Sequence, residues 1–179
     1  GADATEIAIK VDECAPYGLL ITNGEFVSFL GNNPIGLDVS AENTGTIQLQ
    51  NCAYWGSFNK IADIKGKGTV SFNNCNFRDY GRAGANVPAI NCLGGNLMVN
   101  GCNFTKSGQH INLQKDVLSA IIVGNRFKGD INIKNQSDGD VQIGLNAATR
   151  TNVKEEPDAI VINDSAGEPL FHTIGQWTY

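Results

Sequence analysis

The chain has 179 residues, of which 41% are hydrophobic, 17% are charged and 21 are glycine, and its formal net charge is −5. The acidic balance argues against a nucleic-acid surface, which would carry a basic stripe, and no apolar run is long enough to cross a membrane. The length fits one domain or one piece of a longer array, and we expect a longer protein to precede residue 1.

Six short segments place an apolar residue on either side of a polar one, the period of two that a half-buried strand requires. They are AIKV (8–11), GLDV (36–39), IADI (61–64), AINC (89–92), HINL (110–113) and DINI (130–133). We interpret each segment as the first strand of a repeating unit.

A second series of alternating segments follows the first, 7 to 10 residues further along in each unit. Its apolar pairs are Leu19/Ile21, Ile47/Leu49, Val70/Phe72, Leu97/Val99, Ile121/Val123 and Val141/Ile143, and they recur every 20 to 28 residues. The two series advance together, which indicates that each rung of a solenoid holds both strands.

An aromatic residue follows each of the first five copies and predicts a third strand or corner. The aromatic positions are Phe26, Tyr54, Phe77, Phe104 and Phe127. Asn23, Asn51 and Asn74 recur in the preceding turn, where asparagine tolerates the left-handed backbone conformation.

These patterns predict an all-β fold, a right-handed parallel β-helix of about six rungs over residues 1–145. Past this point the repeat fades, and 146–158 reads as a polar loop. The segments 159–164 and 169–179 then read as two strands of a β-hairpin that caps the core. Alternatively, this C-terminal segment is an oligomerisation strand. At the opposite end, the solenoid could continue beyond the first rung.

The repeated rungs, the Asn-rich turns and the period of twenty-odd residues resemble the pectate-lyase-like right-handed β-helix superfamily. That group includes pectate lyases, polygalacturonase-type glycoside hydrolases and phage tailspike-like proteins. The resemblance implies polysaccharide handling by a secreted or cell-surface protein. The Asn-Thr-Asp, Asp-Asp and Gly-His-Gly segments of the polygalacturonase-type enzymes do not occur here, so no catalytic residue is carried over.

The outward position of the first strand supplies the candidates for catalysis. It reads Lys10, Asp38, Asp63, Asn91, Asn112 and Asn132 along successive rungs. Asp38 and Asp63 would lie roughly 5 Å apart, at about the carboxyl separation of retaining glycosidases, and they could also bind calcium. The simpler interpretation is a solvated polar ladder, and no other metal or cofactor is predicted.

The connections from the second strand to the next first strand vary most in length, and insertions in solenoids collect on the binding face. They supply the predicted ligand-binding residues Trp55, Arg78, Asp79, Tyr80, Arg82 and His110. An aromatic ring beside arginine suits an acidic polysaccharide or oligosaccharide, because the ring takes a sugar face and the guanidinium takes a carboxylate. Alternatively, Trp55 and Tyr80 cover the core and His110 is structural.

Five cysteines occur, and Cys52, Cys75 and Cys102 share one repeat position. They read as a column of small buried residues with free thiols, since free cysteine packs as a small hydrophobe. Two functions remain open from the sequence. The first is a non-catalytic polysaccharide-binding or structural β-helix, and the second is a polysaccharide lyase or glycoside hydrolase acting on an acidic glycan.

Overall fold

The computed structural model describes residues 6–28 and 33–149, and the backbone of 159–163 and 169–174. Regular structure in these ranges is entirely β. They contain no helix that could span a membrane. The strands are β1 (Ile7–Val11), β2 (Leu19–Thr22), β3 (Glu25–Ser28), β4 (Ile35–Val39), β5 (Thr46–Gln50), β6 (Ala53–Gly56), β7 (Lys60–Ile64), β8 (Thr69–Asn73), β9 (Asn76–Phe77), β10 (Ile90–Asn100), β11 (Asn103–Phe104), β12 (Ile111–Val123), β13 (Arg126–Lys128), β14 (Ile133–Asn135), β15 (Asp140–Gly144), β16 (Ala147–Thr149), β17 (Ala159–Asn163) and β18 (Pro169–Ile174).

The first sixteen strands form a parallel β-solenoid of about five turns, with six rungs represented on each face, which confirms the predicted parallel β-helix architecture. The first face holds β1, β4, β7, the first halves of β10 and β12, and β14. The second face holds β2, β5, β8, the second halves of β10 and β12, and β15. The third face holds β3, β6, β9, β11, β13 and β16. Each rung therefore contributes one strand to each of three faces.

The core is a set of stacked columns of inward side chains. The aromatic column of the third face is continuous, with ring centroids 4.8 Å apart between Phe26 and Tyr54, 4.9 Å between Phe77 and Phe104, and 4.6 Å between Phe104 and Phe127. Cys52, Cys75 and Cys102 form the neighbouring column as buried free thiols, as predicted. Their Sγ atoms lie within hydrogen-bonding distance of backbone carbonyls, such as the Leu49 oxygen 3.5 Å from Cys75 Sγ.

The turns between the second and third faces have a left-handed residue in every rung. Asn23, Asn51 and Asn74 have φ values of 55°, 53° and 51°, which confirms the conformation expected of the asparagines. Gly101 and Gly124 take this position in the next two rungs, and glycine adopts it without steric cost.

Two strand assignments were wrong near the C-terminal end. In the fifth rung Leu97 pairs with Ala120 and Val99 with Ile122, so the inward pair is Ala120/Ile122 rather than Ile121/Val123. Four successive apolar residues allow either register, and a slip of one residue exchanges the two faces of the strand. In the sixth rung the first strand is Ile133–Asn135 rather than 130–133, and Lys134 replaces Asn132 in the outward column.

The chain between 146 and 158 is not all loop, because β16 continues the third face by pairing with β13. The two predicted C-terminal strands do form, and β17 pairs with β18 in the antiparallel sense. The connection between them, 164–168, lies outside the described residues, and so do the side chains of both strands. Their role as a cap stays a prediction.

Candidate functional site

Asp38 and Asp63 occupy neighbouring rungs in register, as their spacing predicted. Lys65 Nζ lies 2.6 Å from Asp38 Oδ1 and 4.0 Å from Asp63 Oδ2, and Lys60 Nζ lies 3.1 Å from Asp63 Oδ1. Asn91 Nδ2 donates a further hydrogen bond of 2.7 Å to Asp63 Oδ1. Both residues are largely buried, with 12% and 13% of their side-chain surfaces exposed. The arrangement is that of an ion-paired polar ladder rather than an exposed acid and nucleophile.

A calcium ion would need further oxygen ligands beside these two carboxylates. No group of three or more His, Cys, Asp or Glu side chains in the described part of the chain is placed to hold a metal ion. Lys65 instead supplies the positive charge between the two acids. The ladder continues by amides, since Asn112 Nδ2 donates to Asn91 Oδ1 at 2.8 Å.

Trp55 lies on the outward side of the third face, in β6, and is half-buried. Its indole Nε1 donates a hydrogen bond of 2.7 Å to Glu25 Oε1 of the preceding rung, which fixes the edge of the ring. Tyr54 pairs with Phe77, and the amide of Arg78 donates to the Tyr54 carbonyl. Arg78 therefore continues the same register one rung from Trp55, at the ~4.8 Å strand spacing.

Asp79 and Arg82 follow Arg78 in the long connection from β9 to β10. Asp79 Oδ2 accepts a hydrogen bond of 3.3 Å from the amide of Gly56, so this carboxylate anchors the connection to the rung below. Arg82 is exposed, as is Arg78. Of the six predicted ligand-binding residues, Trp55, Arg78 and Asp79 thus lie on or beside the third face. Arg82 is further along the connection, between Gly81 and Ala83, whose amides donate to Asn59 immediately before β7.

Tyr80 and His110 do not belong to this surface. They are 1% and 0% exposed, and their rings pack edge-on against Phe104. The Tyr80 hydroxyl donates to the Lys106 carbonyl, and Lys106 Nζ donates to the Tyr80 carbonyl at 2.6 Å. The connection is folded back into the core by these bonds, so neither ring is available to a ligand.

The contacts of His110 define a neutral imidazole. Nδ1 accepts from the amide of Asn132 at 3.2 Å, while Nε2 lies 3.2 Å from the Lys106 carbonyl and carries the proton. Burial lowers the pKa of His110 below its ordinary value, because the charged form would lose its hydration. Burial likewise raises the pKa of the Tyr80 phenol.

The third face carries more positive charge than the sequence reading assigned to it. One outward column reads Val27, Trp55, Arg78, Thr105, Lys128 and Thr149, and the other reads Glu25, Ala53, Asn76, Asn103, Arg126 and Ala147. Arg126 and Lys128 are exposed and flank the inward Phe127. Their position on either side of the repeat aromatic was the signal that could have identified them.

A groove of about 590 Å³ lies on a different part of the molecule, at the corner where the first face bends into the second. It is lined by residues of four successive rungs, among them Lys67, Gly94, Lys115 and Leu118. The sequence reading placed function on the variable connections and missed this corner. The available signal was the distance from first to second strand, which is shortest, at seven residues, between Ile90 and Leu97.

No family model, no curated protein and no solved structure matches this chain. A functional assignment therefore rests on the surfaces described above.

Proposed function

We propose that this chain is a non-catalytic module of a secreted or cell-surface protein that binds an acidic polysaccharide along its third face. The observation that carries the proposal is that Trp55 and Arg78 directly follow Tyr54 and Phe77, which pair between neighbouring rungs. An indole is held on the outside of the solenoid by its bond to Glu25, and a guanidinium stands at the same register one rung away.

The two side chains offer complementary contacts to a uronate sugar. The indole presents a flat apolar surface to the C–H face of the ring, and its polar edge is already hydrogen-bonded. The guanidinium offers two parallel N–H donors that match a carboxylate. Aromatic and arginine side chains are also the residue types that carry the largest share of the energy at binding surfaces.

The basic side chains beyond Arg78 extend the contact to a polymer. Arg126 and Lys128 lie two rungs further along the same face. Asn76 in the rung of Arg78 and Asn103 in the intervening rung supply amides. Rungs repeat every ~4.8 Å, so side chains of successive rungs offer contacts to a linear polymer at short, regular intervals. In a protein of net charge −5, this local concentration of cations draws an anionic ligand to one face.

We propose no catalytic role for this chain. Asp38 and Asp63 are paired with lysines, and Tyr80 and His110 are enclosed by the aromatic core. We also propose that the chain is related to the pectate-lyase-like superfamily, a proposal supported by its parallel solenoid and its left-handed asparagine turns. Binding without turnover is then the function that these contacts support.

Fluorescence and calorimetric titration with uronate-containing oligosaccharides test the proposal. Binding should quench the emission of Trp55, and Trp55→Ala should abolish that response while Trp177, the second tryptophan, remains as an internal reference. Arg78→Ala should weaken binding about tenfold, the value of one charge-assisted contact.

The matched control is Lys134→Ala, which removes an exposed cation from the first face and should leave the affinity unchanged. Failure to bind any acidic oligosaccharide would refute the proposal. So would an affinity that neither Trp55→Ala nor Arg78→Ala alters.

A further inference from the structure

The corner groove arises because one rung turns the corner with fewer residues than its neighbours. In each rung a corner segment joins the last residue of the first-face strand to the first residue of the second-face strand. This segment has four residues in the third rung (65–68), three in the fourth (93–95), five in the fifth (114–118) and four in the sixth (136–139). Two of the three residues in the fourth rung are Gly94 and Gly95. The fourth rung is therefore the floor of a notch, and the third and fifth rungs are its walls.

The walls carry opposed lysines. Lys67 comes from the third rung and Lys115 from the fifth, and both are exposed. Lys67 makes no hydrogen bond or ion pair with any side chain that the structure describes. Lys115 has only a long contact of 3.9 Å to Asp138, with both side chains more than three-quarters exposed. Such a pair contributes little in water, so Lys115 can exchange it for a ligand.

Apolar surface lies beside these charges. Leu118 is 59% exposed and Leu93 is 36% exposed, and both line the groove. The charged side chains that line the groove are three lysines and two carboxylates, Lys65, Lys67, Lys115, Asp116 and Asp138. The excess of cations and the leucine surface match a ligand that is anionic on its substituents and apolar on a ring face. The volume of about 590 Å³ is in the range of small-molecule sites, and it suits a saccharide of about two rings.

We propose that the corner groove is a second binding site for an acidic saccharide, with Lys67 and Lys115 contacting its carboxylates and Leu118 packing on a ring face. The class of ligand rests on the function proposed for the third face, whereas the site itself rests on the groove. Each rung runs through the first, second and third faces in turn, so this corner lies across the core from the third face. One glycan strand cannot readily occupy both sites, and the protein is therefore bivalent and links two polysaccharide chains.

Two kinds of variant separate the groove from the third face. Lys67→Ala combined with Lys115→Ala removes the opposed cations. Gly94→Val fills the floor, because a Cβ on Gly94 would meet only ordinary contacts, the nearest being the Lys65 carbonyl at 3.4 Å. Thermal melting of each variant verifies that the solenoid is intact, and Lys134→Ala is again the matched control.

The experiment is calorimetric titration with a uronate disaccharide and a uronate tetrasaccharide, followed by light scattering with a long uronate polymer. We expect two sites per chain for the native protein, one for either groove variant and one for Trp55→Ala. We also expect the native protein to raise the scattering of the polymer and each one-site variant to lose this effect.

Two results would overturn the inference: two sites that persist in both groove variants, or a native stoichiometry of one that Trp55→Ala abolishes. In either case the third-face proposal would stand. A native stoichiometry of one that survives Trp55→Ala and is lost in the groove variants would instead refute the third-face proposal and keep the groove as a site.

Discussion

Replacement of Phe104 by alanine tests the aromatic column at its most heavily packed point. Phe104 is 0% exposed and stacks on Phe127 at 4.6 Å, and it also packs edge-on against Phe77 at 4.9 Å and His110 at 5.6 Å. Loss of the buried ring removes its transfer free energy and leaves a cavity, for a cost of roughly 3–5 kcal/mol. This is a large share of the roughly 5–15 kcal/mol that stabilises a typical domain.

The assay is urea denaturation followed by far-ultraviolet circular dichroism, with the m-value checked for constancy across variants. Phe104→Leu keeps most of the apolar volume and loses the ring–ring contacts, each worth about 0.5–1.5 kcal/mol, so it should lie between the native protein and Phe104→Ala. Lys128→Ala, an exposed change in the next rung, should shift the free energy of unfolding by less than about 0.5 kcal/mol. A loss below about 1 kcal/mol for Phe104→Ala would refute the continuous aromatic column.

Three further predictions concern the core and the corners. Burial lowers the pKa of His110 below its ordinary 6.5, so the unfolded chain takes up a proton at a higher pH than the folded chain does. The free energy of unfolding should therefore fall as the pH drops through 6.5. Urea melts of His110→Gln should show a smaller fall. A thiol reagent should label at most Cys14 of the native protein and all five cysteines in guanidinium, because the other four are buried; fast native labelling of four or five would contradict the inward column. Gly95→Ala should lower the melting temperature much more than Gly94→Ala, since Gly95 has a φ of +69° and its Cβ would lie 2.5 Å from the Gly66 carbonyl; equal shifts for the two variants would contradict the fourth-rung geometry.

The stacking of rungs was predictable because it depends on a pattern of period two repeated at a fixed interval. Ile47, Val70 and Leu97 share one inward position, and each is preceded by a first strand at a similar distance. Such alternation specifies which side chains of a strand face the core, whichever strand it pairs with. Where four apolar residues are consecutive, as at 120–123, the pattern no longer selects a face and only the pairing partner does.

The candidate site was predicted in part, because sequence position identifies the rung of a residue but not the path of a connection. The sequence pattern assigned Trp55 to a connection, whereas it lies in β6 directly after the inward Tyr54 and therefore faces outward. Tyr80 lies in a connection, and its direction is decided by bonds to Lys106 that come from the next rung. The groove depends on differences between neighbouring corners, which a search for similarity between rungs does not reveal.

The parallel pairing of each strand with its counterparts in adjacent rungs has a consequence for how the molecule opens. The backbone bonds of β8 tie it to β5 and β10, and no strand on the second face bonds to a rung beyond its neighbours. Loss of the bonds at one interface therefore leaves the other interfaces in place, and the interface between adjacent rungs is the unit of cooperativity. The third and fourth rungs, which carry Arg78 and the floor of the groove, are each bonded to a rung on both sides. Their strand amides should exchange more slowly than amides in the solvent-exposed connections, so the backbone beneath both proposed binding surfaces is held on two sides.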